Sequence, residues 1–394
     1  MSIPADLAPA RGIRPSMASI PMENIARLAV EAQGLEGVIP LWYGEGDMVT
    51  PAFIRDAAKA ALDAGMTFYV PDMRGLPALS EALSAYQTAL HGRPISRARS
   101  TVTPGGMQAV YLALSLIVNP GDEVIYIEPQ WPNIRAAIHM HDGHPVPFPL
   151  DFRDGDWRLD LDRLFATCTA KTRAIFLPTP SNPGGWVATS AELEAILAFS
   201  RRTGVWILSD EVYGRIYFEG PVAPSMLQMA DDEDRVLAVN SFSKAWAMTG
   251  WRVGWLNHPA SLSPTIGAMT QYLNSGTAGF VQAAAAAALN HGEPVVDEVR
   301  ERCRTGRDIA YEHLAGINRL EFGAKPRGGL YVFFALKGED DAMVACSKIL
   351  HDARVGLAPG HLFGGVAKRF MRMCVLRDAH QIEQACSRIA EALR

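Results

Sequence analysis

The middle of this 394-residue chain alternates short apolar runs with longer amphipathic runs. The short runs read as strands buried on both faces, because they lack the polar alternation of half-exposed strands. Between two of them, Thr189 and Glu192 predict a helix that begins with a capping box, and Gly204 predicts its end. Strands that alternate with helices form βαβ units, so the pattern predicts an α/β fold with a mostly parallel sheet. The predicted strands are Glu123–Glu128, Arg173–Leu177, Val205–Ser209, Arg235–Asn240 and Arg252–Leu256.

The two ends of the chain have a different pattern. The first 45 residues are rich in loop-forming residues and contain one helix-like piece, Met22–Ala32. After about residue 290 the alternation of strands and helices gives way to a mixed pattern, which predicts a smaller α+β unit. Its predicted elements are a helix over Glu298–Leu314, strands over Gly329–Leu336 and Phe370–Val375, and a final helix over Ala379–Arg394.

Charge and composition exclude several classes of protein. The net charge is −5, with 37 Lys and Arg against 42 Asp and Glu, so no basic excess exists to bind nucleic acid. The longest apolar stretch, Ala283–Leu289, is too short to span a bilayer, and the N-terminal segment lacks the apolar region of a signal peptide. The five scattered cysteines lack C-x-x-C spacing, so we expect a cytoplasmic protein with neither a disulfide framework nor a bound metal.

Lys244 has the most unusual position among the seven lysines. It comes just after the predicted strand Arg235–Asn240, in the segment Ser241-Phe242-Ser243-Lys244, whereas the other six lie in polar helix-like or loop-like surroundings. Lysine becomes a good Schiff-base nucleophile when burial or a neighbouring cation lowers its pKa. From the pattern alone, a covalent role and an ordinary loop lysine both remain open.

Two further segments place chemistry at strand ends, where open α/β sheets bind ligands. Gly105 and Gly106 follow the short strand Ser100–Val102 and open a helix over Gln108–Ile117, which exposes backbone N–H groups to an anion. The segment is neither a dinucleotide fingerprint nor a P-loop, and taken alone it is better explained as an ordinary tight turn. Asp210 ends another apolar strand, where a carboxylate serves in a structural ion pair, as a helix N-cap or as the partner of a protonated heterocyclic nitrogen.

Taken together, these motifs resemble those of the class I/II aminotransferases, the aspartate-aminotransferase-like branch of the fold type I pyridoxal 5'-phosphate enzymes. Asn182-Pro183-Gly184, Asp210-x-x-Tyr213 and Ser241-x-Ser243-Lys244 with Arg252 agree with that family in order and spacing. The resemblance runs from Gly44-Glu45-Gly46-Asp47 through Tyr69-x5-Gly75 to Phe370-Met371-Arg372-Met373, nearly the whole chain.

The resemblance implies a large cofactor-binding domain with a mostly parallel seven-stranded sheet flanked by helices. It places that domain at residues 46–288 and a small α+β domain with an N-terminal arm at residues 1–45 and 289–394. It also implies a homodimer with shared active sites, and a ping-pong exchange of an amino group between an amino acid and a 2-oxo acid.

The family's catalytic roles carry over to three residues. Lys244 would hold pyridoxal 5'-phosphate as an internal aldimine and act as the general base. Asp210 would pair with the pyridinium N–H, and Tyr213, together with Asn182, would donate to the phenolic oxygen of the ring.

The family's binding roles carry over to further positions. Trp131 would stack on the ring, Tyr69 would reach the phosphate of the neighbouring subunit, and Arg372 would pair with the substrate α-carboxylate. The Gly44 backbone and the Asn182 side chain would assist Arg372. The implied phosphate ligands are Gly105, Gly106, the Met107 N–H, Ser241, Ser243 and Arg252.

Met107 departs from the lysine that the related aspartate enzymes carry at this position. Methionine has no charge and prefers apolar contacts, so we expect a donor with a neutral, apolar or aromatic side chain rather than aspartate. An arginine elsewhere, such as Arg14 or Arg74, could compensate for the missing lysine.

One alternative enzyme outcome remains open, and two non-enzyme outcomes are disfavoured. A C–S β-lyase, or another elimination or decarboxylation enzyme, uses the same scaffold, because the fold and the cofactor do not decide which bond breaks. A regulator fused to a winged-helix domain is disfavoured by the shortness of the first 40 residues and by the acidic net charge of the chain. A catalytically inactive homologue is disfavoured by the presence of all the residues named above.

Overall fold

The computed structural model describes residues 14–18, 20 and 26–393 of the chain. The predicted helix Met22–Ala32 therefore lies partly outside the described residues, and its remainder forms a helix over Ala26–Glu31. In chain order the strands are β1 Ile39–Pro40, β2 Ser100–Thr103, β3 Glu123–Glu128, β4 His144–Pro149, β5 Asp151–Arg153, β6 Asp156–Arg158, β7 Thr172–Pro178, β8 Trp206–Asp210, β9 Val236–Ser241, β10 Gly254–Asn257, β11 Leu320–Phe322, β12 Tyr331–Leu336, β13 Val355–Gly356, β14 Ala358–Pro359 and β15 Phe370–Cys374.

The helices alternate with these strands through the middle of the chain, as the sequence pattern predicts. Within the described residues, no helix combines the length and the apolar character needed to cross a bilayer. The α-helices are α1 Pro15–Ala18, α2 Ala26–Glu31, α3 Ala52–Asp63, α4 Pro77–His91, α5 Gly106–Ile117, α6 Asn133–Met140, α7 Leu161–Thr167, α8 Ser190–Thr203, α9 Phe242–Ala245, α10 Ser263–Asn274, α11 Gly279–His291, α12 Glu293–Leu314, α13 Ala342–Ala353 and α14 Ala379–Ala392.

The central sheet has seven strands in the order β2-β10-β9-β8-β7-β3-β4. Strands β9, β8, β7, β3 and β4 run parallel, and β10 is antiparallel to both of its neighbours. Successive residues of β7 bury opposite faces: Ala174 and Phe176 pack with α5 and α10, whereas Ile175 and Leu177 pack with α8. Burial on both faces explains why the sequence shows continuous apolar runs, and it confirms the predicted α/β class.

Several predicted boundaries hold and others need correction. Helix α8 begins with the predicted capping box, in which the Glu192 N–H donates to Thr189 Oγ1 at 3.2 Å and the Thr189 N–H donates to Glu192 Oε2 at 2.6 Å. Helix α12 begins five residues earlier than predicted, because Pro294 is tolerated in a first helical turn. The prediction that Arg252 lies within a strand is wrong: its φ of 53° is left-handed, and β10 starts only at Gly254.

A second, antiparallel sheet has the order β11-β12-β15-β14, and α12, α13 and α14 pack around it. This is the smaller α+β unit that the sequence predicts after residue 290. Strand β4 was missed at the sequence level because three of its six residues are prolines, which an edge strand tolerates. The exact domain boundaries, at residues 46–288 and on either side, stay a prediction.

Candidate active site

A cavity of about 160 Å³ opens at the carboxyl ends of β3, β7, β8 and β9. This is the edge of the sheet where parallel strands leave backbone groups and loop residues free to meet a ligand. Ten of the fourteen site residues named from the sequence line it, namely Gly106, Met107, Trp131, Asn182, Asp210, Tyr213, Ser241, Ser243, Lys244 and Arg252.

Lys244 lies in the single turn of α9 that follows β9. The Ser241 hydroxyl caps this turn by accepting from the Ser243 N–H at 3.1 Å, and so fixes where the lysine leaves the sheet. The amine Nζ donates to the carbonyl oxygen of Gly44 at 2.7 Å and lies 5.9 Å from the centre of the Tyr213 ring. Burial lowers the pKa of Lys244 from 10.5 to about 8, which makes its neutral, nucleophilic form accessible.

Asp210 is the last residue of β8. Its Oδ1 accepts from the Val212 N–H at 3.3 Å, and burial raises the pKa of the carboxyl to about 6. The next residue, Glu211, is turned away from the cavity and is bonded by the hydroxyls of Ser209 and Ser225. In the described part of the chain Asp210 forms no ion pair, so this carboxylate is available to a cationic ligand.

Three polar groups line up beside the lysine. Asn182 Nδ2 lies 3.5 Å from the Tyr213 hydroxyl oxygen, and that oxygen lies 3.1 Å from the hydroxyl of Tyr331. Burial raises the pKa of Tyr213 well above 10, so its phenol is neutral and can act as a hydrogen-bond donor. The chain therefore presents an amide and a phenol to the same side of the cavity.

The opposite end of the cavity is suited to an anion. Helix α5 begins at Gly106, and the φ of Gly105 is 89°, a conformation that favours glycine. A Cβ at Gly105 would lie 2.5 Å from a terminal nitrogen of Arg252, so the glycine leaves room for the guanidinium to approach the helix N-terminus. Ser241 Oγ donates to Ser243 Oγ at 2.9 Å at the same end. A helix N-terminus with an arginine and two hydroxyls matches the donors that phosphate requires.

Arg372 is 4% exposed and lies on β15, next to the cavity. One terminal nitrogen donates to Asn182 Oδ1 at 2.8 Å and the other donates to the Trp42 carbonyl at 2.5 Å. The guanidinium carbon lies 4.3 Å from the centre of the Tyr331 ring and 4.8 Å from that of Phe363. Its Nε is buried without a partner, and within the described residues no carboxylate pairs with this cation. A buried, uncompensated guanidinium is a strong indication of an anionic ligand.

Four predicted residues lie outside the cavity lining, and each has a definite place. Gly105 lies against the guanidinium of Arg252, and Arg372 donates to the side chain of Asn182; both Arg252 and Asn182 line the cavity. Gly44 accepts from Lys244 through its carbonyl, and a Cβ there would meet the Tyr331 hydroxyl at 2.0 Å. Tyr69 is 84% exposed on the outer surface.

The side wall near Met107 is mostly uncharged. Met107 and Trp131 are partly exposed and line the cavity together with Ile134. The two arginines considered as compensating cations are already paired, because Arg14 lies 2.6 Å from Asp142 and Arg74 lies 2.7 Å from Asp72.

Sequence reasoning missed Tyr331, Thr249 and Gln130. The last two line the cavity, and Tyr331 contacts both Tyr213 and Arg372. Tyr331 lies in an apolar strand, so the sequence pattern indicates a core residue. Its contacts with Tyr213 and Arg372 become visible only in the tertiary structure. The sequence does carry a signal for Thr249, because it lies between the predicted site residues Lys244 and Arg252 in the chain.

Comparison with known proteins identifies the family and the fold of the chain. Residues 38–389 match the family aminotransferase class I and II. The chain is 31% identical to aromatic-amino-acid aminotransferase 2 of Thermococcus litoralis, over 94% of this chain and 95% of that one. It is 34% identical to the arginine–pyruvate transaminase of Pseudomonas aeruginosa, over 92% and 91% of the two chains. The aspartate aminotransferase of Thermotoga maritima has a TM-score of 0.89 at 27% identity, covering 96% of this chain and 99% of that one.

The fold is thus that of the fold type I transferases, as the sequence motifs predict. The chain belongs to the class I and II aminotransferases, a family that uses pyridoxal 5'-phosphate. The role of each site residue stays a prediction.

Proposed function

We propose that this aminotransferase binds pyridoxal 5'-phosphate and exchanges the α-amino group of an L-amino acid with a 2-oxo acid. The observation that supports the proposal is that one cavity combines three groups, each suited to a different part of the cofactor. A lysine of lowered pKa and an unpaired carboxylate lie near an anion-binding helix N-terminus. An aldehyde, a protonated ring nitrogen and a phosphate are the groups that these residues suit, and the cofactor carries all three.

Each residue has a defined task in this proposal. The N-terminus of α5, Ser241, Ser243 and Arg252 hold the phosphate, and Trp131 covers one face of the ring. When bound, the cofactor supplies an aldehyde that condenses with amines and a ring that takes up the electron pair left at the substrate Cα.

The chain's own groups supply charge and proton transfer. Asp210 stabilises a positive charge at the ring nitrogen, and Tyr213 and Asn182 donate to the phenolic oxygen. Lys244 would hold the cofactor and would move the proton at the substrate Cα as a general base. Arg372 holds the α-carboxylate and so fixes which bond at Cα faces the ring.

The side chain of the substrate follows from the wall around Met107. We infer a neutral, apolar or aromatic amino donor, because Met107, Trp131 and Ile134 offer no charge to a distal carboxylate. The names of the relatives span aromatic amino acids, arginine and aspartate, so the inference rests on this chain's own residues.

A homodimer with shared active sites is part of the proposal. Phe68 and Tyr69 are 86% and 84% exposed, and such large aromatic side chains are unusual on a free surface. We propose that a second copy of the chain covers them, and that Tyr69 reaches the phosphate end of that copy's cavity. Sedimentation of the loaded protein, with and without Tyr69→Ala, tests the assembly.

The lysine assignment has a direct test. Lys244→Ala should lose both the visible absorption of the cofactor-loaded protein and the fixation of the cofactor by borohydride. Lys171→Ala, a change of an exposed lysine, is the matched control. A Lys244→Ala protein that keeps the visible band and its activity would disprove the assignment.

The reaction and the substrate class need a separate assay. Wild-type protein given an amino acid and a 2-oxo acid should exchange amino groups, whereas a β-lyase or another elimination enzyme would release ammonia or a thiol. Across a panel of donors, kcat/KM should favour neutral side chains, and Met107→Lys should shift the preference toward aspartate. A clear preference of the wild-type enzyme for aspartate or glutamate would refute the inferred substrate class.

A further inference from the structure

Tyr331 is the first residue of β12 and is 1% exposed, yet it contacts three separate parts of the site. Its hydroxyl lies 3.1 Å from that of Tyr213, and its ring lies 4.3 Å below the guanidinium carbon of Arg372. The hydroxyl also occupies the space that a Cβ on Gly44 would fill, beside the carbonyl that accepts from Lys244.

The hydroxyls of Tyr331 and Tyr213 share a hydrogen bond in which either oxygen could donate. Among the described residues, Tyr213 is the one hydrogen-bond partner that this hydroxyl has. A buried hydroxyl that donates to nothing is costly, and Tyr213 lines the cavity whereas Tyr331 does not. We therefore take Tyr331 as the donor, because of the two hydrogens only that of Tyr213 can meet an acceptor on a ligand in the cavity.

With Tyr331 as the donor, the direction in which the hydroxyl hydrogen of Tyr213 points is also determined. A phenol oxygen accepts up to two hydrogen bonds and donates one. With Tyr331 and Asn182 as donors, the acceptor sites of the Tyr213 oxygen are filled. Its own hydrogen is then left to point into the cavity, since Tyr213 lines that cavity.

We propose that Tyr331 is a positioning residue that orients the hydroxyl of Tyr213 toward the cofactor and supports the guanidinium of Arg372 on its ring. Tyr213 and Arg372 would thereby both be held in place by contacts with the same buried residue, Tyr331. The inference rests on the proposed function, in which Tyr213 donates to the phenolic oxygen of the cofactor.

The two contacts of Tyr331 can be separated by substitution. Tyr331→Phe removes the hydroxyl and keeps the ring under Arg372, whereas Tyr331→Leu removes both. The main readout is the pH midpoint at which the visible absorption band of the cofactor-loaded protein changes. Loss of one neutral hydrogen bond changes an equilibrium about fivefold, so Tyr331→Phe should raise this midpoint by about 0.7 pH unit.

The kinetics should show the same separation. In Tyr331→Phe we expect kcat to fall several-fold and KM for the amino acid to stay within about twofold, because the ring contact with Arg372 remains. Tyr331→Leu should also raise KM. Tyr311→Phe is the matched control, because that hydroxyl donates to the Ala324 carbonyl at 2.7 Å, outside this cavity, and its loss should leave the midpoint unchanged.

A double variant excludes a purely structural effect. If Tyr331 acts through Tyr213, then Tyr331→Phe should shift the midpoint no further in a Tyr213→Phe background. A Tyr331→Phe protein with the wild-type midpoint and kcat, beside a Tyr213→Phe protein with a shifted midpoint, would overturn the inference and leave the proposed function intact. A wild-type protein that forms no visible band with pyridoxal 5'-phosphate would instead overturn the proposed function.

Discussion

The uncompensated charge of Arg372 offers the sharpest test of the carboxylate site. We consider two replacements of this buried side chain. Arg372→Met removes the charge and keeps much of the volume, whereas Arg372→Lys keeps the charge and loses the planar fork. Arg369→Met is the matched control, because Arg369 lies near Arg372 in the chain and forms a partly exposed pair with Glu321 at 2.7 Å.

The size of the effect follows from the donors that Arg372 has left. A guanidinium has five N–H bonds, and one on each terminal nitrogen is engaged with Asn182 or Trp42. The Nε–H and one further N–H on each terminal nitrogen remain for a ligand. Two charge-assisted hydrogen bonds at about 1.5–3 kcal/mol each give about 3–6 kcal/mol, or roughly a 10²- to 10⁴-fold loss of kcat/KM in Arg372→Met.

The assay measures the two half-reactions separately. The amino donor and the oxo acceptor both carry an α-carboxylate, so kcat/KM should fall by a similar factor for both. In Arg372→Lys, kcat/KM should fall about 10- to 100-fold, because the lysine ammonium keeps a single contact with the carboxylate. The visible band of the loaded protein should stay in both variants. A kcat/KM within threefold of wild type in Arg372→Met, or a loss confined to one half-reaction, would refute the reasoning.

Two further predictions concern the lysine and the glycine it contacts. Because burial lowers the pKa of Lys244 from 10.5 to about 8, its amine is protonated below that pH, so the rate of covalent cofactor attachment to the apoenzyme should rise with pH and level off above about 8. Stopped-flow absorbance gives this midpoint, and a value near 10.5 would contradict the burial of the amine. Gly44→Ala would bring a methyl group to 2.0 Å from the Tyr331 hydroxyl, so we expect a loss of about 1–3 kcal/mol in the free energy of unfolding. Gly316→Ala meets no atom within 4 Å and is the control in denaturant unfolding; equal stability of the two variants would show that Tyr331 is not held rigidly.

The predictable parts of the fold are those governed by local pattern. The capping box of α8 and the strands β3, β7, β8 and β9 follow from residues close together in the chain, because hydrogen bonding and burial act there over a few residues. The antiparallel placement of β10 between β2 and β9 did not follow, since strand order depends on contacts between distant segments. The left-handed conformation of Arg252, whose guanidinium lies against Gly105, also escaped prediction.

The same division applies to the site. The sequence by itself determined the chemical inventory, a lysine and a carboxylate at strand ends and a glycine turn before a helix, because the ends of parallel strands meet at one edge of a sheet. Only the tertiary structure decided how these groups are tuned: the burial that lowers the pKa of Lys244, the unpaired state of Arg372 and the link through Tyr331. Solvent exclusion and contacts across more than a hundred residues set those properties, and no local pattern encodes them.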